Sequence, residues 1–497
     1  MSQTGISRAF PTFLIAGFFL VSFFAVLVSA TIHPLAGLVI VFALPGLGII
    51  AQYEFTAVRV YVFLFLVVPL YLRLPGFSLL SPVLLFFLAL FTIVFVRLLL
   101  QSERLPWSTM HWLALCYIIV VVLTSISPYF SALTIRQICY QVLLPIGSFL
   151  LIFYTCKDTH DVQHILDAIT IAAVVIAAYS IPEYFLQKNW LIENFLLQSA
   201  FNKFDEDVRF FYAIKDELLS VYRTFSTFES PLEFATVLGM VFAYPVLASI
   251  HHPSIQKRAL YALAAILILF ALLLTFSRWA WISATVVGVF LFVRESAVRR
   301  FMLLGAIVGV VTVAILYPFY ATMIQARMSD SATFDTRLGM YRLALLMFLD
   351  RPFMGVGYGN FGHYTIEYAN RYGAGGFRFP LELFQVVDST YFHLLCEMGL
   401  LGLTTYLMIL VAFFLCCVRL VRLGGTIRSQ ATAVGLGVMA YAVNGVAAYP
   451  LHLTTIATQL FWIYIGLAYR LAALQQSNER RLISPRLESN HDSRHDD

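Results

Sequence analysis

The chain has 497 residues, of which 60% are hydrophobic and only 12% charged, with a formal net charge of +5. A water-soluble domain carries roughly 25% charged residues, so there is too little charge here to coat a surface facing water, and a soluble enzyme is excluded. The mean hydropathy of +0.84 comes from long apolar runs without heptads or a Gly-X-Y period, which excludes coiled-coil, collagen-like and disordered chains as well. What remains is an all-α, polytopic helical membrane protein. A bilayer core about 30 Å thick takes about 20 apolar residues per crossing, and the apolar runs accommodate about 14 crossings, about 12 at the fewest.

In chain order, the runs predict helices over about 12–30, 34–51, 58–73, 79–97, 110–127, 138–156 and 162–186, a transmembrane bundle within 1–186. Arg8 ahead of the first run, with Val28 and Ala30 behind it, imitates a signal peptide. The run is too long for a signal core and further spans follow it, so it reads as the first membrane helix. A long loop, 187–229, leads to central spans over about 230–250, 259–276, 279–295 and 301–320. A second long loop, 321–389, precedes C-terminal spans over about 390–418, 431–449 and 453–473, and the polar 474–497 reads as a tail without fixed structure.

Short cytoplasmic loops retain Lys and Arg. Lys257 with Arg258, then Arg294, Arg299 and Arg300, then Arg419, Arg422 and Arg428, and finally Arg480, Arg481, Arg486 and Arg494 form four basic clusters. The predicted crossings put all four on one side together with both termini, which would be the cytoplasm. Loops 187–229 and 321–389 then fall on the extracytoplasmic side. The second carries six arginines, among them Arg337, against six carboxylates, among them Asp388, so it has no net charge. Within it, Thr336 to Leu349 is helical in pattern, with Asp335 as N-cap and Pro352 past its end, and reads as an interfacial helix. Cys116, Cys139, Cys156, Cys396, Cys416 and Cys417 lie in or beside apolar runs without metal-ligand spacing and read as packing residues. No basic run is dense enough for nucleic acid.

An arginine beside hydrocarbon is costly unless it is paired or hydrated. Arg223, just before the span at 230, and Arg278, between two spans with almost no loop, both fall at the extracytoplasmic face. Each can snorkel as an interfacial anchor, Arg278 beside Trp279 and Trp281. Each can equally bind a phosphate, because guanidinium offers planar, bidentate donors that stay charged. The alternating Gly355, Gly357 and Gly359 of Asp350 to Phe361 lack the preceding strand and full spacing of a dinucleotide site, and read as a tight turn where backbone approaches backbone or substrate. Asp388 or Ser389 reads as N-cap of the helix re-entering the membrane, and His393 and Glu397 share one face of it.

The ordered combination carries a resemblance. Arg-x-x-x-x-Phe-x-x-Pro (Arg223 to Pro231), Leu-Thr-x-Ser-Arg-x-x-Trp (Leu274 to Trp281), Arg337, the segment Asp350 to Phe361, and Tyr-Phe-x-x-Leu-x-Glu-x-Gly-Leu-x-Gly (Tyr391 to Gly402) occur in that order. Together they resemble the O-antigen ligase and O-antigen polymerase-like membrane proteins, over about residues 220 to 410. The resemblance implies a metal-independent glycosyltransferase of the bacterial inner membrane, without a cofactor. Its donor would be a glycan on undecaprenyl diphosphate, and its acceptor the hydroxyl of another lipid-linked repeat or of lipid A core, with membrane lipids, a flippase and a chain-length regulator as further partners.

By the family pattern, Arg223 and Arg278 would bind the diphosphate, with Arg337 a further candidate. Ligases carry a His-Asn pair where this chain has Asp388 and Ser389. Asp388 becomes the candidate base, with His363 an alternative, and the departure favours a repeat-unit polymerase over a ligase. A flippase or other transporter is the rival class, although the chain shows no repeated halves and gathers its charged loops on one face.

Overall fold

The structure is a computed structural model that describes residues 52–69, 81–100, 106–127, 129–191, 222–228, 230–297, 299, 331–372, 387–448 and 455–492. Among these, the regular elements are helices: α1 (Glu54–Val67), α2 (Pro82–Leu100), α3 (Thr109–Ser125), α4 (Ala132–Ile138), α5 (Leu144–Thr155), α6 (Thr159–Leu186), α7 (Pro231–Val241) and α8 (Ala243–His251). They continue with α9 (Ile255–Leu274), α10 (Arg278–Arg294), α11 (Ser331–Asp350), α12 (Phe361–Tyr372), α13 (Thr390–Arg422), α14 (Gly425–Asn444) and α15 (Thr455–Asp492). A π-helical turn, Cys139–Leu143, joins α4 to α5. Seven helical stretches among the described residues are long and apolar enough to cross a bilayer, and α3 is a shorter apolar helix. The chain is thus an all-α, multi-pass membrane protein. The expected spans 12–30, 34–51 and 301–320, and most of loop 187–229, lie outside the described residues.

The helix starts follow local chemistry. Asp158 caps α6, accepting from the N–H groups of His160 and Asp161, and Ser230 caps α7 with Pro231 in its first turn, where no N–H is missed. The bundle exposes Leu260, Leu263, Ile266, Val289, Val293 and Leu415 on its outside, the surface that hydrocarbon rather than water requires. Inside, α5 packs against α15, α14 packs against α7 and α10, and a single large core runs through them. Some buried polar groups bond across helices, as the Asn444 side-chain amide of α14 does to Thr236 of α7.

Contacts sort the helix ends into two sets. At one end Glu295 meets His251 at 3.4 Å and Arg428 at 3.6 Å, Gln430 donates to the Thr159 carbonyl at 3.1 Å, and Arg470 donates to the Cys156 carbonyl at 2.5 Å. Lys257, Arg258, Arg294, Arg419 and Arg422 occupy the helix termini and turns of this same set. At the opposite end lie the start of α7, the α9–α10 turn, the start of α13 and the end of α14, the last two joined by Thr390 N–H to the Gly445 carbonyl at 2.8 Å. Helices α11 and α12 form a second, smaller core there: Leu343, Ala344 and Met347 pack with Phe361, Tyr364, Tyr368, Val387 and Cys396.

Three expectations are corrected. Asp335 lies inside α11, which begins by Ser331, so it is no N-cap. One face of α11 is buried in the small core, so this helix is packed as protein rather than only laid on a lipid surface. The polar stretch after Gln475 continues as helix to Asp492, because extending a formed helix costs far less than nucleating one.

Candidate active site

The turn between α9 and α10 places Arg278. Thr275 and Phe276 end α9, with Phe276 held at φ 48°, and the Trp281 indole N–H donates back to the Leu272 carbonyl at 3.2 Å. Trp281 is therefore a tether for the turn as much as an interfacial anchor. Arg278 opens α10 half-buried and has no hydrogen-bond or ion-pair partner among the described residues.

Arg223 arrives from the non-helical segment 222–228. Its Nε donates to the Thr275 carbonyl at 2.9 Å, and the neighbouring Thr224 N–H donates to the Leu274 carbonyl at 3.4 Å. A residue more than 50 positions upstream is thereby fastened to the turn that begins with Arg278. The segment is held from its other side by Glu183 near the end of α6. Its carboxylate accepts from the Tyr222 hydroxyl at 3.0 Å, the Phe225 N–H at 3.2 Å and the Ser226 N–H at 2.8 Å. Glu183 escaped the sequence reading. The signal was present, since an acidic residue inside an apolar span needs a partner and a reason.

Arg337 and Asp388 form a second candidate cluster. Arg337 Nε donates to Asp388 Oδ2 at 3.0 Å, with side chains 18% and 33% exposed. Tyr341, one turn along α11, donates to the Asp388 backbone carbonyl at 2.8 Å, and its ring stacks on Phe392 at 4.8 Å. Burial, the main effect, and Asp388 push the Tyr341 phenol up to about 12 while Arg337 opposes them, so Tyr341 keeps its proton and acts as a donor. Ser389, not Asp388, caps α13 by accepting from the Phe392 N–H. The Asp388 carboxylate therefore carries no capping duty and is oriented by Arg337. His363 is exposed, its ring stacked on Tyr129 at 4.9 Å.

The Gly-rich segment is a clamp of backbone on backbone. Helix α13 is broken at Gly399, with φ 63° and ψ −156°. Val356 and Gly357 donate to the Cys396 and Glu397 carbonyls at 2.8 and 2.9 Å, and Leu400 N–H reaches the Pro352 carbonyl at 2.8 Å. A Cβ on Gly355 would collide with the backbone of Cys396 and Glu397, and one on Gly399 with that of Pro352 and Phe353. The buried Glu397 carboxylate accepts from the Gly359 and Phe361 N–H groups at 2.7 and 2.9 Å, with His393 Nε2 2.9 Å away. His393 and Glu397 thus fasten the α11–α12 unit to α13 and hold the start of that helix, where Asp388 sits, in place.

Two arginines are thus brought to one turn, and an Arg–Asp pair lies at the start of α13 at the same end of the bundle. Residues 263–407 match the O-antigen ligase family model. Over these residues the chain is similar to the O-antigen ligase family. An enzyme of this glycosyltransferase-like kind implies a lipid-linked glycan and an acceptor as substrates. A search of curated proteins returns no match. The matched part of the chain contains Arg278, Arg337 and Asp388, whereas Arg223 and Glu183 lie upstream of it and join it through the Thr275 carbonyl.

Proposed function

We propose that the protein polymerises undecaprenyl-diphosphate-linked oligosaccharide repeat units into an exopolysaccharide or O-antigen. It works at the extracytoplasmic face of the bacterial inner membrane, with both termini and the Lys/Arg-rich helix end in the cytoplasm. The observation that carries this reading is the bond from Arg223 to the carbonyl of Thr275, which ties one guanidinium to the turn that starts with another, at the end of the bundle opposite the basic clusters. Two fixed cations in that position suit a diphosphate leaving group, whose negative charge grows as its bond to the anomeric carbon breaks.

In the reaction, the acceptor hydroxyl forms the new glycosidic bond at that carbon while the diphosphate departs on its lipid. The hydroxyl proton passes to the Asp388 carboxylate, which Arg337 orients. Arg337 is also within the set of cations that can share the diphosphate charge. No step calls for a metal ion, because arginines supply the positive charge.

The alternative is a ligase that transfers the glycan to lipid A core, and the family match is compatible with either activity. Asp388 and Ser389 at the positions of a ligase's His-Asn pair support the polymerase instead. Purified protein in liposomes with lipid-linked repeat units as the only glycan distinguishes them. A ladder of repeat units on undecaprenyl diphosphate is the polymerase outcome. Product that forms only when lipid A core is added overturns the polymerase in favour of the ligase.

A further inference from the structure

We infer that Glu183 is a positioning residue that makes Arg223 part of the diphosphate site, an inference that rests on reading Arg223 and Arg278 as the diphosphate-binding pair. Glu183 is 2% exposed and sits near the end of a membrane helix, where a bare carboxylate is costly. Three of the donors that satisfy it come from Tyr222, Phe225 and Ser226, residues that bracket Arg223, and a fourth is the Asn189 side chain. These bonds hold a backbone that would not hold itself. Ser226 is in the left-handed region at φ 55°, uncommon for a residue with a Cβ, and the segment forms no helix that would satisfy its own N–H groups.

Further bonds close the same corner, from the Ser226 hydroxyl to the Ile176 carbonyl at 2.8 Å and from the Asn189 side chain to the Ser226 carbonyl at 2.7 Å. The segment is thus fixed to α6 through Glu183 on one side and to the α9–α10 turn through Arg223 and Thr224 on the other. The distance between the two guanidiniums therefore depends on a carboxylate that touches neither. Glutamine keeps the shape of Glu183 but has one acceptor oxygen in place of two and no charge, so at least one N–H loses its partner.

The test uses the full-length protein purified in one detergent as wild type, Glu183→Gln, Arg223→Ala and the double variant. Each is titrated with undecaprenyl diphosphate, with affinity read from the rise of the thermal unfolding midpoint and the ligand-free midpoint recorded alongside. Each single variant is expected to bind at least tenfold more weakly, and the double variant no more than about twofold worse than Arg223→Ala alone, since both act through one group. A purely structural Glu183 would instead lower the ligand-free midpoint and add its loss independently to that of Arg223→Ala. Where Glu183→Gln fails to accumulate, Tyr222→Phe replaces it, removing one donor while both backbone bonds stay, with about threefold weaker binding expected only when Arg223 is present. Wild-type affinity in Glu183→Gln, or in Tyr222→Phe, beside lost binding in Arg223→Ala overturns the inference. Wild-type affinity in Arg223→Ala overturns the reading of the arginine pair beneath it.

Discussion

Arg337 and Arg278 are half-buried at the same end of the bundle, yet Arg337 is bonded to Asp388 at 3.0 Å while Arg278 has no partner among the described residues. A paired guanidinium has its electrostatic demand met within the fold. An unpaired one beside hydrocarbon is stable only with water or an anion nearby, which suits a group meant to receive a substrate. The contrast separates two arrangements at one end of the bundle: Arg337 orients a carboxylate, whereas Arg278, with Arg223 fastened to its turn, is the cation that the proposed function assigns to the diphosphate.

Substitutions can break this contrast. The largest effect is expected from Asp388→Asn, which leaves the Ser389 cap and the Tyr341 bond to the backbone carbonyl intact but removes the proton acceptor. Turnover should fall by about 10²- to 10⁴-fold in the reconstituted assay, and undiminished turnover would reduce Asp388 to a structural partner of Arg337. Arg278→Ala should cost roughly 10²- to 10³-fold while the protein still inserts and accumulates, and Arg278→Lys should restore only part, because an ammonium cannot reproduce bidentate contacts. Normal polymer length and yield from a strain carrying Arg278→Ala would remove the diphosphate role.

Smaller effects sharpen the comparison. Gly399→Ala places a Cβ against the Pro352 and Phe353 backbone at a left-handed position, and should destabilise by about 2 kcal/mol or more, seen as a lower unfolding midpoint with activity lost in step. Tyr341→Phe removes one hydrogen bond, worth about 1 kcal/mol. Because burial keeps the Tyr341 phenol protonated up to about 12, its loss should leave the pH profile of turnover unchanged below about pH 10. A shifted profile would assign Tyr341 a proton-transfer role. A chelator such as EDTA should leave turnover within error, and loss restored by a divalent ion would contradict the arginine-based scheme.

The membrane helices were legible because an apolar stretch of about 20 residues, long enough to cross a bilayer, has one cheap solution, and the gathering of basic residues at one set of helix ends was legible because loop charges are read locally. Arg223, Arg278, Arg337 and Asp388 stood out for the same reason, as charges in a chain that carries few. What the residues around them do was not legible. Glu183 and Ser226 are 43 positions apart, and no local rule links them. The Gly-rich segment left backbone and substrate equally open as its neighbour, and the answer was a broken helix whose freed carbonyls it takes up.

The sequence by itself determined the class of molecule, the end at which its charged residues gather, and the short set of arginines and carboxylates that could carry chemistry, because composition and spacing act through transfer energies that need no partner. Only the tertiary structure decided which of them pair. Arg337 with Asp388, Arg223 with the Thr275 carbonyl and Glu183 with the segment of Tyr222 to Ser226 are meetings between distant parts of the chain. Hydrogen bonds and ion pairs act over about 3 Å, so they exist only once packing has brought those parts together.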